Sequence, residues 1–248
     1  MKNFITGLQF LTRIHIVKES EWSPESFGRS VKYFPLIGAI LGIILVVINQ
    51  LFAEYLPFLN IYMPPHVLAT VLIATNILLT GGLTCDGFMD TMDGIFSGRS
   101  SERMLEIMKD SRVGANGVMA FTLLMLMKWS LLMDLSPLLL PNALLAMPLL
   151  GRFAMVLGIT AFPYARPDGI GKAFAQYADK YTLYISIVLT VLVIGLLGKQ
   201  AWLSLGLVSI CTMLFARFVT KLLGGLTGDI YGALSELAEI AVLLVFSF

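Results

Sequence analysis

Charge is scarce in this chain. Of its 248 residues only 13% are charged, 57% are hydrophobic and the mean hydropathy is +0.84. A soluble domain carries about a quarter charged residues, so the deficit argues against a water-solvated globule and for lipid as solvent. Cysteine is nearly absent. Cys85 and Cys211 make neither a disulfide framework nor a paired metal spacing and read as buried thiols. With only two histidines, His15 and His66, no histidine or cysteine pair accompanies the carboxylates, which argues against zinc, and His15 reads as structural. The net charge of +1, without a basic arm or a long charge run, gives no footprint for nucleic acid, and none is expected as a partner. No Walker loop is present, which disfavours ATP hydrolysis. The N-terminus shows no signal-peptide pattern, because polar and charged residues break its apolar run.

What the chain has in abundance is apolar runs. Spanning segments are expected at about 33–56, 66–83, 117–134, 137–162, 181–198, 201–223 and 232–248. The first sixteen residues are too short and too polar to span. Phe4, Ile5, Leu8 and Leu11 fall at helical spacing, so this segment reads as an interfacial amphipathic helix or one packed on the bundle. Basic residues alternate with the spans. Fourteen, from Lys2, Arg13, Lys18, Arg29 and Lys32 to Arg217 and Lys221, fall on one side and only Lys199 on the other. The rule that positive charge stays inside then puts the N-terminus in the cytoplasm and the C-terminus outside. Lys128 and Arg152 lie within spans and must pair or snorkel. The expected fold is all-α: a single polytopic membrane domain over 1–248, with about seven transmembrane helices and an N-terminal interfacial helix.

One stretch breaks the apolar pattern. Gly81-Gly82-Leu83-Thr84-Cys85-Asp86-Gly87-Phe88-Met89-Asp90-Thr91-Met92-Asp93-Gly94 holds three carboxylates and no basic residue. On a helix, positions 86, 90 and 93 share one face. Three like charges there repel unless a cation holds them or some are protonated. Asp86, Asp90 and Asp93 are therefore candidate metal and catalytic residues in a cytoplasmic loop at about 84–116. The chain also echoes itself, since Gly224-Gly225-Leu226-Thr227-Gly228-Asp229 repeats five of the six residues Gly81–Asp86. Asp86 and Asp93 are seven apart, as are Asp229 and Glu236. Both copies end a span that runs inward, which suggests a parallel internal repeat, and if they converge Asp229 and Glu236 join the metal shell. An all-oxygen set that also receives substrate phosphates suits Mg²⁺.

Basic residues follow the acidic stretch. Ser100 or Ser101 can cap a short helix with Met104, Leu105, Ile107 and Met108 on its apolar face, flanked by Arg99, Arg103, Lys109, Asp110 and Arg112. One reading is a solvated surface helix. The other is a cationic counterpart that neutralises a pyrophosphate or phosphodiester substrate beside a metal. The turn-rich loop Phe162–Lys172, with Arg166, reads as a lid or a simple connector.

These residues resemble a known family. The run Gly81-Gly82…Asp86-Gly87…Asp90…Asp93-Gly94, the block Arg103–Gly114, Phe10-Leu11-Thr12-Arg13, Phe34-Pro35-Leu36-Ile37-Gly38 and Leu223–Asp229 with Gly232-Ala233 and Glu236 are together similar to the cobalamin synthase (adenosylcobinamide-GDP ribazoletransferase) family. The likeness runs through nearly the whole chain. One departure is Thr84-Cys85, where the family usually has His-Leu. The resemblance implies a Mg²⁺-dependent transferase of a bacterial cytoplasmic membrane. A hydroxyl of α-ribazole, or of α-ribazole 5′-phosphate, would attack the cobinamide-side phosphorus of adenosylcobinamide-GDP and release GMP. Membrane lipid is an expected partner, and a homo-oligomer is compatible with the chain. Two rivals remain at this point. A CDP-alcohol phosphotransferase also uses spaced aspartates on a membrane helix, but its Ala-Arg after Asp-Gly is missing here. A cation-coupled transporter would use broken Gly-Gly helices, but near the membrane midplane and in an inverted repeat.

Overall fold

The computed structural model describes residues 2–17 and 23–248. Lys18, counted in the charge pattern, lies outside the described residues. The chain is all-helical: α1 (Lys2–Leu11), α2 (Pro24–Ser30), α3 (Phe34–Gln50), α4 (Pro65–Thr80), α5 (Leu83–Phe96), α6 (Ser101–Ile107), α7 (Ala115–Asp134), α8 (Leu140–Ala161), α9 (Ile170–Tyr177), α10 (Thr182–Ile194), α11 (Lys199–Leu223) and α12 (Gly228–Ser247). Among the described residues, five helical segments are long and apolar enough to cross a membrane, or up to seven if two bent pairs each count as one span. This is a polytopic membrane bundle.

α8 sits at its centre, packed by α3, α10, α11 and α12. It is apolar all round, and most of its residues are buried, as expected of a core helix. Glycine makes the closest crossing. Gly38 and Gly42 of α3 lie four apart on one face, and a Cβ on Gly38 would overlap the Pro148 carbonyl of α8, while one on Gly42 would lie 2.7 Å from Leu145 Cα. Small residues at this spacing let two membrane helices approach backbone to backbone. The outer faces of α7, α10 and α11 expose Leu123, Leu126, Leu192, Leu203, Ile210 and Leu214, as suits contact with lipid.

Two expected spans come out shorter than the sequence pattern suggests. α4 has 16 residues and α10 has 13, or about 24 and about 20 Å at 1.5 Å per residue, against a hydrocarbon core of about 30 Å. α4 meets α5 at 90°, and α9 meets α10 at 94°. The first break has a clear cause: Gly81 and Gly82 both have positive φ (63° and 72°), which ends α4 and turns the chain before Leu83. The N-terminal segment, read as interfacial, docks on the bundle in part. Leu8 and Leu11 are buried in the core, and Phe4 meets Tyr33 edge to face.

Candidate active site

The two glycine motifs meet. α5 packs along α12, and the contact is close because small residues face backbone from both sides. A Cβ on Gly87 would lie 2.7 Å from the Asp229 carbonyl, and one on Gly232 would lie 3.1 Å from the Thr84 carbonyl. The motifs nevertheless start their helices differently. α5 begins directly after Gly82, with no side-chain cap. α12 begins after Thr227, whose hydroxyl accepts from the Ile230 amide.

This packing opens a cavity of about 380 Å³. Asp86, Asp229, Lys109 and Arg166 line it together with Tyr164 and Tyr231. A second cavity of about 750 Å³ shares Phe10, Leu83 and Asp86 with the first and is bordered by Arg13, His15, Gly81 and Gly82. Asp86 is exposed, Asp90 half-buried and Asp93 buried. α5 turns out of the line of the spanning helix α4, and its carboxylates feel one another. Burial first, then Asp229, Asp86 and Asp93, push the Asp90 carboxyl up to about 7, against a smaller pull from Arg166. Carboxylates crowded in this way attract a cation.

The wall opposite α5 is built by the 162–172 loop. Ala165 donates to the Leu226 carbonyl and Leu226 to the Pro163 carbonyl, both at 2.8 Å, a short parallel bridge. Gly225 permits the approach, since a Cβ there would lie 2.6 Å from the Pro163 carbonyl. The bridge delivers Arg166 to Asp229, 2.8 Å from its Oδ2. Phe174 of α9 anchors the loop's far end, meeting Phe10, Phe27 and Phe34 edge to face.

The remaining expected residues divide. Asp93 is turned toward α7, where its oxygens accept from the amides of Gly114 and Gly117, both at 2.7 Å. It thereby satisfies two amides at a helix start. Glu236 is buried, with Oε1 accepting from Thr84 at 2.6 Å and Oε2 facing Lys128 Nζ at 2.6 Å, so its oxygens already have partners within the bundle. On the 99–112 segment Ser100 caps α6 as expected, and Met104 and Met108 bury against the bundle. Arg103 pairs with Glu106, and Arg112 grips Asp110 through two bonds. That grip holds the Asp110 carboxyl below its usual range. Arg99, Arg103 and Arg112 are exposed, and of this segment's basic residues only Lys109 lines the cavity.

Tyr164, Tyr231, Phe174 and Phe10 were not anticipated as wall residues. Aromatics are common in an apolar chain, and nothing in their spacing separates wall from core. Among the described residues, no three Asp, Glu, His or Cys side chains converge into a ready-made metal centre. Mg²⁺ does not require one, because it keeps waters and is commonly bound through one or two carboxylates plus substrate phosphates.

The sequence profile of the cobalamin-5-phosphate synthase family matches residues 3–247. An adenosylcobinamide-GDP ribazoletransferase of Desulfitobacterium hafniense is 40% identical over 98% of this chain and 96% of its own length. Proteins of the same name from Fusobacterium nucleatum and Desulforamulus reducens are 35% and 40% identical, over 99% and 98% of this chain and 97% and 92% of their own lengths. No solved structure matches the chain. Matched from end to end by the profile and by these relatives, the chain belongs to the cobalamin-5-phosphate synthase family.

Proposed function

We propose that this chain is an adenosylcobinamide-GDP ribazoletransferase that joins α-ribazole, or its 5′-phosphate, to adenosylcobinamide-GDP and releases GMP. The observation that carries the reading is the cavity in which Asp86 and Asp229, one from each glycine motif, face Arg166 and Lys109. Acidic and basic groups across one cavity suit a pyrophosphate that is held by cations while a hydroxyl loses its proton to a carboxylate. Two cavities meeting at Asp86 offer room for two substrates.

In this reading Arg166 and Lys109 hold the pyrophosphate oxygens and offset the charge that develops on the departing GMP. Asp86, the most exposed carboxylate of the row, takes the proton of the attacking hydroxyl. The lid residues Asp168–Gly171 cover the reacting phosphorus and exclude water, so that transfer outruns hydrolysis. Asp86 and Asp229, the two carboxylates that line the cavity, would hold Mg²⁺, which when bound neutralises phosphate charge, with Asp90 beside them on α5. The donor set fits, being all oxygen, and the Asp90 carboxyl, raised first by burial and then by Asp229, Asp86 and Asp93, stands among like charges whose repulsion a cation relieves. Asp93 and Glu236, expected in the same shell, serve better by holding α5 against α7 and α12, given their partners. The basic-residue pattern supports a bacterial cytoplasmic membrane with this cavity on the cytoplasmic side and lipid around the apolar outer faces.

The test is GMP release by the purified protein in lipid nanodiscs, given adenosylcobinamide-GDP, α-ribazole and Mg²⁺. Release that requires both substrates, stops with excess EDTA and returns with added Mg²⁺ is expected. Release of a nucleotide from a CDP-alcohol instead, with none from adenosylcobinamide-GDP, would overturn the reading.

A further inference from the structure

Four charged side chains meet in one network inside the bundle, and none of them lines the cavity. Lys128 of α7, Arg152 of α8 and Glu236 and Glu239 of α12 are each at most 3% exposed. Lys128 Nζ lies 2.6 Å from both Glu236 Oε2 and Glu239 Oε2. Arg152 Nη1 reaches Glu239 Oε1 and Ser235 Oγ, each at 2.9 Å. Asn76 of α4 donates to Glu239 at 3.2 Å. Thr84 donates to Glu236 at 2.6 Å, and the Cys85 thiol lies 3.6 Å from the same oxygen.

We propose that Lys128, Glu236 and Glu239 are positioning residues for the reaction: they seat α5 on α12 so that Asp86 and Asp90 face Asp229. The proposal rests on the transferase reading of the cavity. Stability alone does not account for the network. Burying ions carries a large desolvation penalty, and well-packed apolar side chains of similar volume commonly give equal or greater stability. What apolar side chains lack is directional bonding, and here the bonds act where direction matters. α5 begins at Gly82 without a side-chain cap, so its own N-terminus does little to set its rotation. Thr84 and Cys85, the two residues before Asp86, are the ones that Glu236 engages. On α12, Glu236 lies seven residues, or about two turns, beyond Asp229. A single carboxylate therefore relates the height and rotation of the two acidic motifs. Asp93, bonded to α7 at the other end of the same row, closes the frame. The two cations balance the two anions, so the network adds no net charge behind the site.

Cys85 is a built-in reporter of this seating. It is 5% exposed, and Cys211, exposed on α11, can be removed as Cys211→Ser. In that background the full chain in nanodiscs is compared with Lys128→Met, Lys128→Arg and Glu236→Gln. The readouts are kcat and KM for GMP release, the rate at which N-ethylmaleimide labels Cys85 without substrates, and the melting temperature. Lys128→Met and Glu236→Gln should lower kcat about 100-fold, the scale of a 1 Å misplacement, with KM for both substrates within about threefold. Cys85 labelling should rise about tenfold at temperatures well below melting, and Lys128→Arg should recover most of the lost kcat. Glu236→Gln keeps the side chain's shape, so it remains informative if Lys128→Met fails to fold. Unchanged kcat in Glu236→Gln, a loss confined to KM, or Cys85 labelling at the parent rate would overturn the proposal. Asp86→Asn, measured alongside, separates the two claims. If it is inactive while Glu236→Gln is normal, only the positioning proposal fails; if Asp86→Asn is active, the site reading itself fails.

Discussion

Arg166 shows how one side chain can join two parts of a site. It belongs to a loop that composition left undecided between lid and connector, and it ends 2.8 Å from Asp229. Replacing it with Ala should lower kcat/KM for adenosylcobinamide-GDP about 100-fold, as for loss of one charged donor at a developing phosphate charge. Replacement with Lys should recover part of that, since the charge remains but the planar fork is lost. Steady-state GMP release checks both. At this scale the sequence was legible where chemistry overrode solvent. Asp86 and Asp90 stood out because three carboxylates on one helical face beside apolar runs have few explanations. Glu236 was less legible: its spacing from Asp229 matched Asp86 and Asp93, but spacing carries no information on Lys128, 108 positions earlier in the chain. Cations and anions stranded in spans were the available clue: Lys128 and Arg152 had to pair or snorkel, but the sequence does not name their partners.

Among the elements, α5 matters most and was only half readable. Its carboxylate face and its place after the end of the second span were evident from the sequence, but the direction the chain takes beyond Gly81-Gly82 was not. Two consecutive glycines at positive φ set α5 at 90° to α4, an angle that the residue pattern does not carry. α2 and α9 were missed because seven and eight residues leave too few turns for a periodic signal, whereas α6, equally short, was marked by its serine cap and apolar face. The long runs at α7, α8, α11 and α12 were plain for the opposite reason. Within α5, Asp93 differs in role from Asp86. It bonds the first amides of α7, so Asp93→Ala should destabilise the protein by about 1–2 kcal/mol, the usual range for loss of a helix cap. The check is thermal unfolding in nanodiscs, and a melting temperature equal to that of the parent chain would show that the amides find other partners.

For the molecule as a whole, scarcity of charge is the organising fact. Lys128 and Arg152 balance Glu236 and Glu239 within one buried network, Asp93 is buried against the amides that open α7, and Asp86 and Asp229 share the cavity with Arg166 and Lys109. The apolar composition foretold a membrane bundle, and the glycine echo foretold that two distant motifs belong together. Sequence alone did not foretell that they touch through Gly87 and Gly232, because a repeat fixes likeness and not contact. In the proposed reaction both motifs form one catalytic site. This is tested most directly by GMP release from adenosylcobinamide-GDP and α-ribazole with Asp86→Asn and Asp229→Asn, each in nanodiscs and each shown to be folded by its melting temperature. Both variants should fall at least about 1,000-fold below the parent chain, at the upper end of the effect of removing one transition-state contact. An Asp229→Asn variant that turns over at the parent rate while Asp86→Asn is inactive would contradict a shared site, leaving the second motif as packing alone.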